Sequence, residues 1–108
     1  MINIRQLFDQ DTWTFTYLVF DDESKESVLI DPVLEQINRD LSLVERLGLT
    51  LIGVLETHVH ADHITAANEI RTRTSVKIYY GSKTGVKESD VLLNDGDRIQ
   101  LGNYFITA

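Results

Sequence analysis

The 108-residue sequence predicts an α/β fold. Short runs rich in β-branched and aromatic residues alternate with stretches of apolar spacing at three or four residues, and Leu49 to Leu55 is an almost unbroken apolar run of strand length. All three histidines of the chain follow directly where that run ends. Open α/β sheets carry their sites outside the carboxyl ends of strands, so the histidines fall where chemistry is expected.

The elements are justified in chain order. Thr12 to Phe20 is rich in Thr, aromatic and β-branched residues, and the polar turn Asp21-Asp22-Glu23-Ser24-Lys25 separates it from Ser27-Val28-Leu29-Ile30-Asp31, which predicts a β-hairpin. Pro32 marks the start of a helix or turn. Leu34, Ile37, Leu41, Val44 and Leu47 then recur at helical spacing, and Gly48 stops the helix. Leu49 to Leu55, bounded by Gly48 and Glu56-Thr57, reads as a strand buried on both faces. A second helix is predicted over Ile64 to Arg73, a strand over Val76 to Tyr80, and a polar loop from Gly81 to Asp90. Val91 to Leu93, Arg98 to Leu101 and Tyr104 to Ile106, separated by Asn94-Asp95-Gly96-Asp97 and Gly102-Asn103, read as a meander.

Composition narrows the function. Hydrophobic residues make up 43% and charged residues 25%, the balance of a globular chain with room for one small core. A net charge of −7 opposes attraction to phosphate backbones and anionic membranes, which favours a small or neutral substrate, or a protein partner, over nucleic acid or membrane. The absence of cysteine excludes disulfides and thiolate metal sites. The amino terminus is no basic segment leading into an apolar run, so the expected compartment is the cytoplasm.

The chemistry lies in Thr57-His58-Val59-His60-Ala61-Asp62-His63. In an extended segment alternate side chains share a side, so His58 and His60 can grip one ion while Val59 turns away. Asp62 and His63 follow at a bend toward the next helix and can address the same ion, a second ion or a bound water, which makes Asp62 the candidate catalytic group. Imidazole and carboxylate donors suit Zn(II) or Fe(II). The bland alternative, three packing or surface histidines meeting by accident, conflicts with ligand-like spacing. Asp31 is expected either to orient the site or to cap the following helix. Trp13, Tyr17, Tyr79 and Tyr80 read as core or pocket lining, and Lys83, Lys87 and Arg98 as solvated charges.

The run from His58 to His63 resembles the His-x-His-x-Asp-His signature of the metallo-β-lactamase superfamily, an αββα sandwich of two similar halves. Arg5-Gln6-Leu7-Phe8, Thr16-Tyr17-Leu18, Leu29-Ile30-Asp31-Pro32-Val33, Ala61-Asp62-His63-Ile64-Thr65 and Asp95-Gly96-Asp97 resemble, more narrowly, the persulfide dioxygenases, relatives of glyoxalase II. The resemblance implies oxidation of a glutathione persulfide by O₂ to sulfite and glutathione at a single non-haem Fe(II). It implies His58 as an iron ligand with His60, Asp62 and His63 around it. In the binuclear zinc hydrolases of the superfamily, His58 and His60 hold one metal and Asp62 and His63 the other.

The same resemblance implies that the other ligands, a histidine after a Gly-rich turn and a later aspartate, lie past the position of Ala108. Residues 1–108 are therefore expected to form one partial domain, the N-terminal half of the sandwich. Its uncovered sheet predicts a homo-oligomer, and a non-catalytic fragment is the remaining alternative.

Overall fold

Strand and helix propensities yield, among the residues described by the computed structural model (1–57, 61–81, 91–94 and 96–107), eight strands and two α-helices; for 61–65, 81, 91 and 92 the backbone alone is described. They are β1 (Ile2–Asp9), β2 (Thr14–Asp21), β3 (Glu26–Ile30), a 3₁₀ turn (Leu34–Gln36), α1 (Ile37–Arg46), β4 (Thr50–Glu56), α2 (Ala61–Thr74), β5 (Lys77–Gly81), β6 (Val91–Leu93), β7 (Arg98–Leu101) and β8 (Tyr104–Thr107).

Strands β1 to β6 form one sheet in sequence order. The β1–β2 and β2–β3 pairs are antiparallel, and β3–β4, β4–β5 and β5–β6 are parallel. The helical connections fit this change: α1 crosses from β3 to β4 and α2 from β4 to β5, as parallel neighbours require. Alternation along the strands sends Leu18, Phe20, Leu29, Val54, Ile78 and Tyr80 to the helix face, where they pack with Ile37, Val44, Ala66, Ala67 and Ile70. On the opposite face Val19 and Val28 pack with Leu101, supported by Ile2, Tyr17, Ile30, Ile52, Leu55 and Ile106. The β7–β8 hairpin therefore lies on the second face, and the Gly102 N–H donates to Glu26 Oε1 at 2.7 Å to tie its turn to β3.

Several expectations change. The segment Ile2–Asp9 is a full strand that the sequence reading passed over, because its exposed edge carries no clear alternation of burial. The meander is divided: β6 joins the main sheet beside β5, while β7 and β8 form a separate antiparallel pair. The bonds from Asp97 N–H to Asn94 O at 3.0 Å and from Asn94 N–H to Asp97 Oδ2 at 2.8 Å close a turn that takes the chain out of the sheet. Strand β4 is central, yet Ile52 and Leu55 are only half-buried, since the small hairpin covers part of the second face, and Leu51 on the helix face is half-buried as well. The first helical span opens as a 3₁₀ turn, and Gly48 ends α1 with φ +67°, a conformation that favours glycine. The expected loop falls outside the described residues from 82 to 90. Among the described residues no helix is long and apolar enough to cross a membrane.

Candidate metal centre

Parallel pairing of β3 with β4 sets Ile30 beside Leu55, so the carboxyl ends of the two strands lie side by side. Asp31 follows the first and Glu56-Thr57 close the second. The Asp31 N–H donates to Leu55 O at 2.9 Å, and the residue takes φ +53°, a left-handed conformation that aspartate adopts more readily than most residues. Its carboxylate reaches across to β4. Oδ1 accepts the Thr57 N–H at 2.8 Å, and Oδ2 accepts the Thr57 hydroxyl in a short hydrogen bond. From β2, the Thr16 hydroxyl donates to the Asp31 carbonyl at 2.9 Å. Three adjacent strands thus fix the residue that immediately precedes His58.

This arrangement separates the two readings of Asp31. The 3₁₀ turn is flanked by Val33 without a side-chain cap, so Asp31 does not cap the helical segment; its side chain holds the end of β4. Glu56 adds a second carboxyl to the same corner. It is 3% exposed, and burial pushes its pKa up to about 9, with the charge and hydrogen bond of Asp31 acting in the same direction. At neutral pH Glu56 therefore carries its proton beside Asp31. Sequence reasoning assigned no part to Thr16 or Glu56. The available signal for Glu56 was a carboxylate ending an apolar strand one residue before the motif.

The histidine cluster is placed in part. His58 and His60 lie outside the described residues, as does Val59. Helix α2 begins at Ala61, three residues earlier than expected, so the backbone of Asp62 and His63 belongs to its first turn and not to a bend before it. Among the described residues, no group of three or more His, Cys, Asp or Glu side chains is placed to hold a metal.

The aromatic candidates divide. Tyr80 is core on the helix face, whereas Tyr17 and Tyr79 are half-buried on the other face. Trp13 is neither core nor pocket lining: it is 80% exposed at the tip of the β1–β2 hairpin. Arg98 is exposed with its guanidinium 5.3 Å from the centroid of the Phe105 ring, while Lys83 and Lys87 fall outside the described residues. Beside Glu56 and Thr57 opens a cleft of about 380 Å³ with apolar walls from Ile30, Leu55, Tyr79 and Ile106. The corner combines a fixed approach to the motif, a protonated acid and an apolar recess.

Comparison with known proteins gives this corner its context. The profile of the metallo-beta-lactamase superfamily matches residues 14–101. The chain is 43% identical over 103 residues to the persulfide dioxygenase ETHE1, mitochondrial, of Homo sapiens, covering 95% of this chain and 41% of that protein. For the Bos taurus protein of the same name the identity is 44% over 101 residues, covering 94% and 40%. The crystal structure of ETHE1 from Myxococcus xanthus matches with a TM-score of 0.86 at 47% identity, covering 95% of this chain and 45% of that one. A metallo-beta-lactamase from Staphylococcus aureus shares the fold, with a TM-score of 0.84 at 22% identity over 98% of this chain and 33% of its own. The chain spans about two fifths of the length of the mammalian relatives it matches.

Proposed function

We propose, since this chain belongs to the metallo-beta-lactamase superfamily, that it is the motif-bearing half of a persulfide dioxygenase. The observation that carries this reading is the identity of 43% to 44% with two proteins of that name across nearly the whole chain. The reaction is oxidation of glutathione persulfide by O₂ with water, giving sulfite and free glutathione. The donor set suits non-haem iron, for neutral imidazole and carboxylate without thiolate fit a two-His-one-carboxylate site.

His58 is the proposed iron ligand within this chain, with His60, Asp62 and His63 arrayed about the site and Asp62 the carboxylate nearest in sequence for handling a proton. Bound iron would supply coordination of O₂ and of the persulfide sulfur. The chain's own contribution begins with Asp31, which holds Thr57 by backbone and hydroxyl and so fixes where the His58 segment departs from β4. The proposed partner is a small thiol or persulfide of the glutathione type, with neither nucleic acid nor membrane, in keeping with the acidic charge balance. Self-association and a cytoplasmic location are proposed as well, although the mammalian relatives are described as mitochondrial.

The test is oxygen consumption with glutathione persulfide by the longer protein loaded with iron. Uptake that His58→Ala abolishes is the expected result. No uptake, together with two zinc ions per chain and hydrolysis of a glutathione thioester, would replace the reading with a binuclear hydrolase.

A further inference from the structure

We infer that Thr16 is a positioning residue of the metal centre and acts through the backbone of Asp31; the inference rests on the reading of His58 as a metal ligand. Among the described residues, Trp13, Lys25, Asp31 and Ser75 are the non-glycine positions with positive φ. Trp13, Lys25 and Ser75 are exposed. Asp31 is buried, at 7% exposure, and it precedes Pro32, a position that ordinarily favours extended backbone. A buried residue persists in such a conformation because its surroundings over-determine it, and strain of this kind gathers at functional sites.

Two contacts of the Asp31 backbone supply that constraint. Its N–H donates to Leu55 O on β4 at 2.9 Å, and its carbonyl accepts the Thr16 hydroxyl from β2 at 2.9 Å. The β2–β3 ladder ends with Tyr17 opposite Ile30, so one further step of that register sets Thr16 opposite Asp31. Asp31 has by then left the strand conformation, and a side-chain hydroxyl makes the cross-strand contact. Anchors on either side of the Asp31 Cα aim its Cβ, and with it the carboxylate that grips Thr57. Removing the β2 anchor frees ψ of Asp31, lets the backbone relax toward the negative φ that a residue before proline prefers, and swings the carboxylate off Thr57.

Threonine suits this task. Thr16 is 0% exposed, and branching at Cβ restricts χ1, so the hydroxyl is aimed in advance. Alternation along β2 puts it on the side of Leu18 and Phe20, which pack with the two helices. The contact is therefore sealed within this chain, away from the second face of the sheet. A hydroxyl that did no more than satisfy a buried carbonyl would affect stability alone. One that holds Asp31 in its left-handed state also governs how firmly Thr57, and the histidine after it, are held.

The test uses the longer protein with Thr16→Val, which keeps the shape of the side chain and removes the hydroxyl. In the metal-free protein, exchange of the Thr57 amide should quicken at least about fivefold, because Asp31 Oδ1 is its acceptor and an unpaired buried carbonyl carries at least that penalty. Retention of Fe(II) under anaerobic conditions, read by competition with a chelator, should fall roughly tenfold. Thr16→Ser should restore both. In an Asp31→Ala background, Thr16→Val should still lower the melting temperature but leave iron retention where Asp31→Ala alone puts it, since the route to Thr57 is already cut. Thr57 exchange or iron retention at the wild-type level in Thr16→Val, no restoration by Thr16→Ser, or a further loss of retention in the Asp31→Ala background overturns the inference. None of these measurements involves turnover, so a wild type that holds iron yet consumes no oxygen overturns the proposed activity alone.

Discussion

Asp31 and Thr57, 26 residues apart in sequence, are joined by two hydrogen bonds that use both oxygens of one carboxylate. Asp31→Ala removes both acceptors and leaves alanine in a left-handed conformation; the expected loss in urea denaturation is about 2–4 kcal/mol. Asp31→Asn tolerates that backbone and keeps one acceptor, so about half the loss is expected. In the longer protein, Asp31→Ala should weaken metal retention by roughly 10- to 100-fold, read by competition with a chelator.

Gly53 is small because of Tyr79 on the neighbouring strand. A Cβ at residue 53 would stand 2.7 Å from Tyr79 Cε2 and 3.2 Å from Cδ2. Gly53→Ala should therefore cost about 1–3 kcal/mol through overpacking. A double-mutant cycle with Tyr79→Ala should recover much of that cost, because the two positions share one contact.

The turn of the small hairpin is crowded in a different way. Gly102 sits at φ +61°, and a Cβ there would press on the Asp21 carboxylate and stand 2.7 Å from Ser24 Oγ. Gly102→Ala is expected to lower the melting temperature, at a cost of roughly 2–4 kcal/mol from backbone conformation and clash together. Loss of the Glu26 contact to the Gly102 N–H should accompany it, visible as faster amide exchange at residue 102.

Asp21 predicts the acid limb of the stability curve. The Ser24 N–H and hydroxyl, followed by the amino terminus, lower its pKa from 3.8 to about 2. A folded pKa below the unfolded one means that the stabilisation is complete above pH 3.8 and disappears as the pH falls through about 2. Asp21→Asn should flatten that part of a pH titration of unfolding while leaving the neutral slope unchanged.

The sheet was legible where periodicity was strong. Ile37, Leu41, Val44 and Leu47 repeat at helical spacing because one face of α1 packs into the core with Leu18, Leu29 and Val54, whereas Leu34, the first of the series, is exposed in the 3₁₀ turn. Leu49 to Leu55 reads as a central strand because neighbours flank it on both sides. β1 escaped notice for the opposite reason: an edge with one uncovered face selects for no regular burial. The fate of β6 was illegible because Val91 to Leu93 has the same character whether it pairs with β5 or with β7, and only the turn at Asn94 decides. At the metal centre the ligand spacing stood out. The Asp31 contact did not, since it depends on a parallel pairing that brings together residues with no local relation.

That pairing orders events during synthesis. A ribosome releases Asp31 well before Thr57, and β3 can meet β2 in an antiparallel hairpin while β4 is still being made. Parallel pairing with β4 must await the crossover through α1, a slow closure between distant segments. Every residue of β3, α1 and β4, and Thr57 itself, precedes His58, so the support can be complete before the first histidine is made.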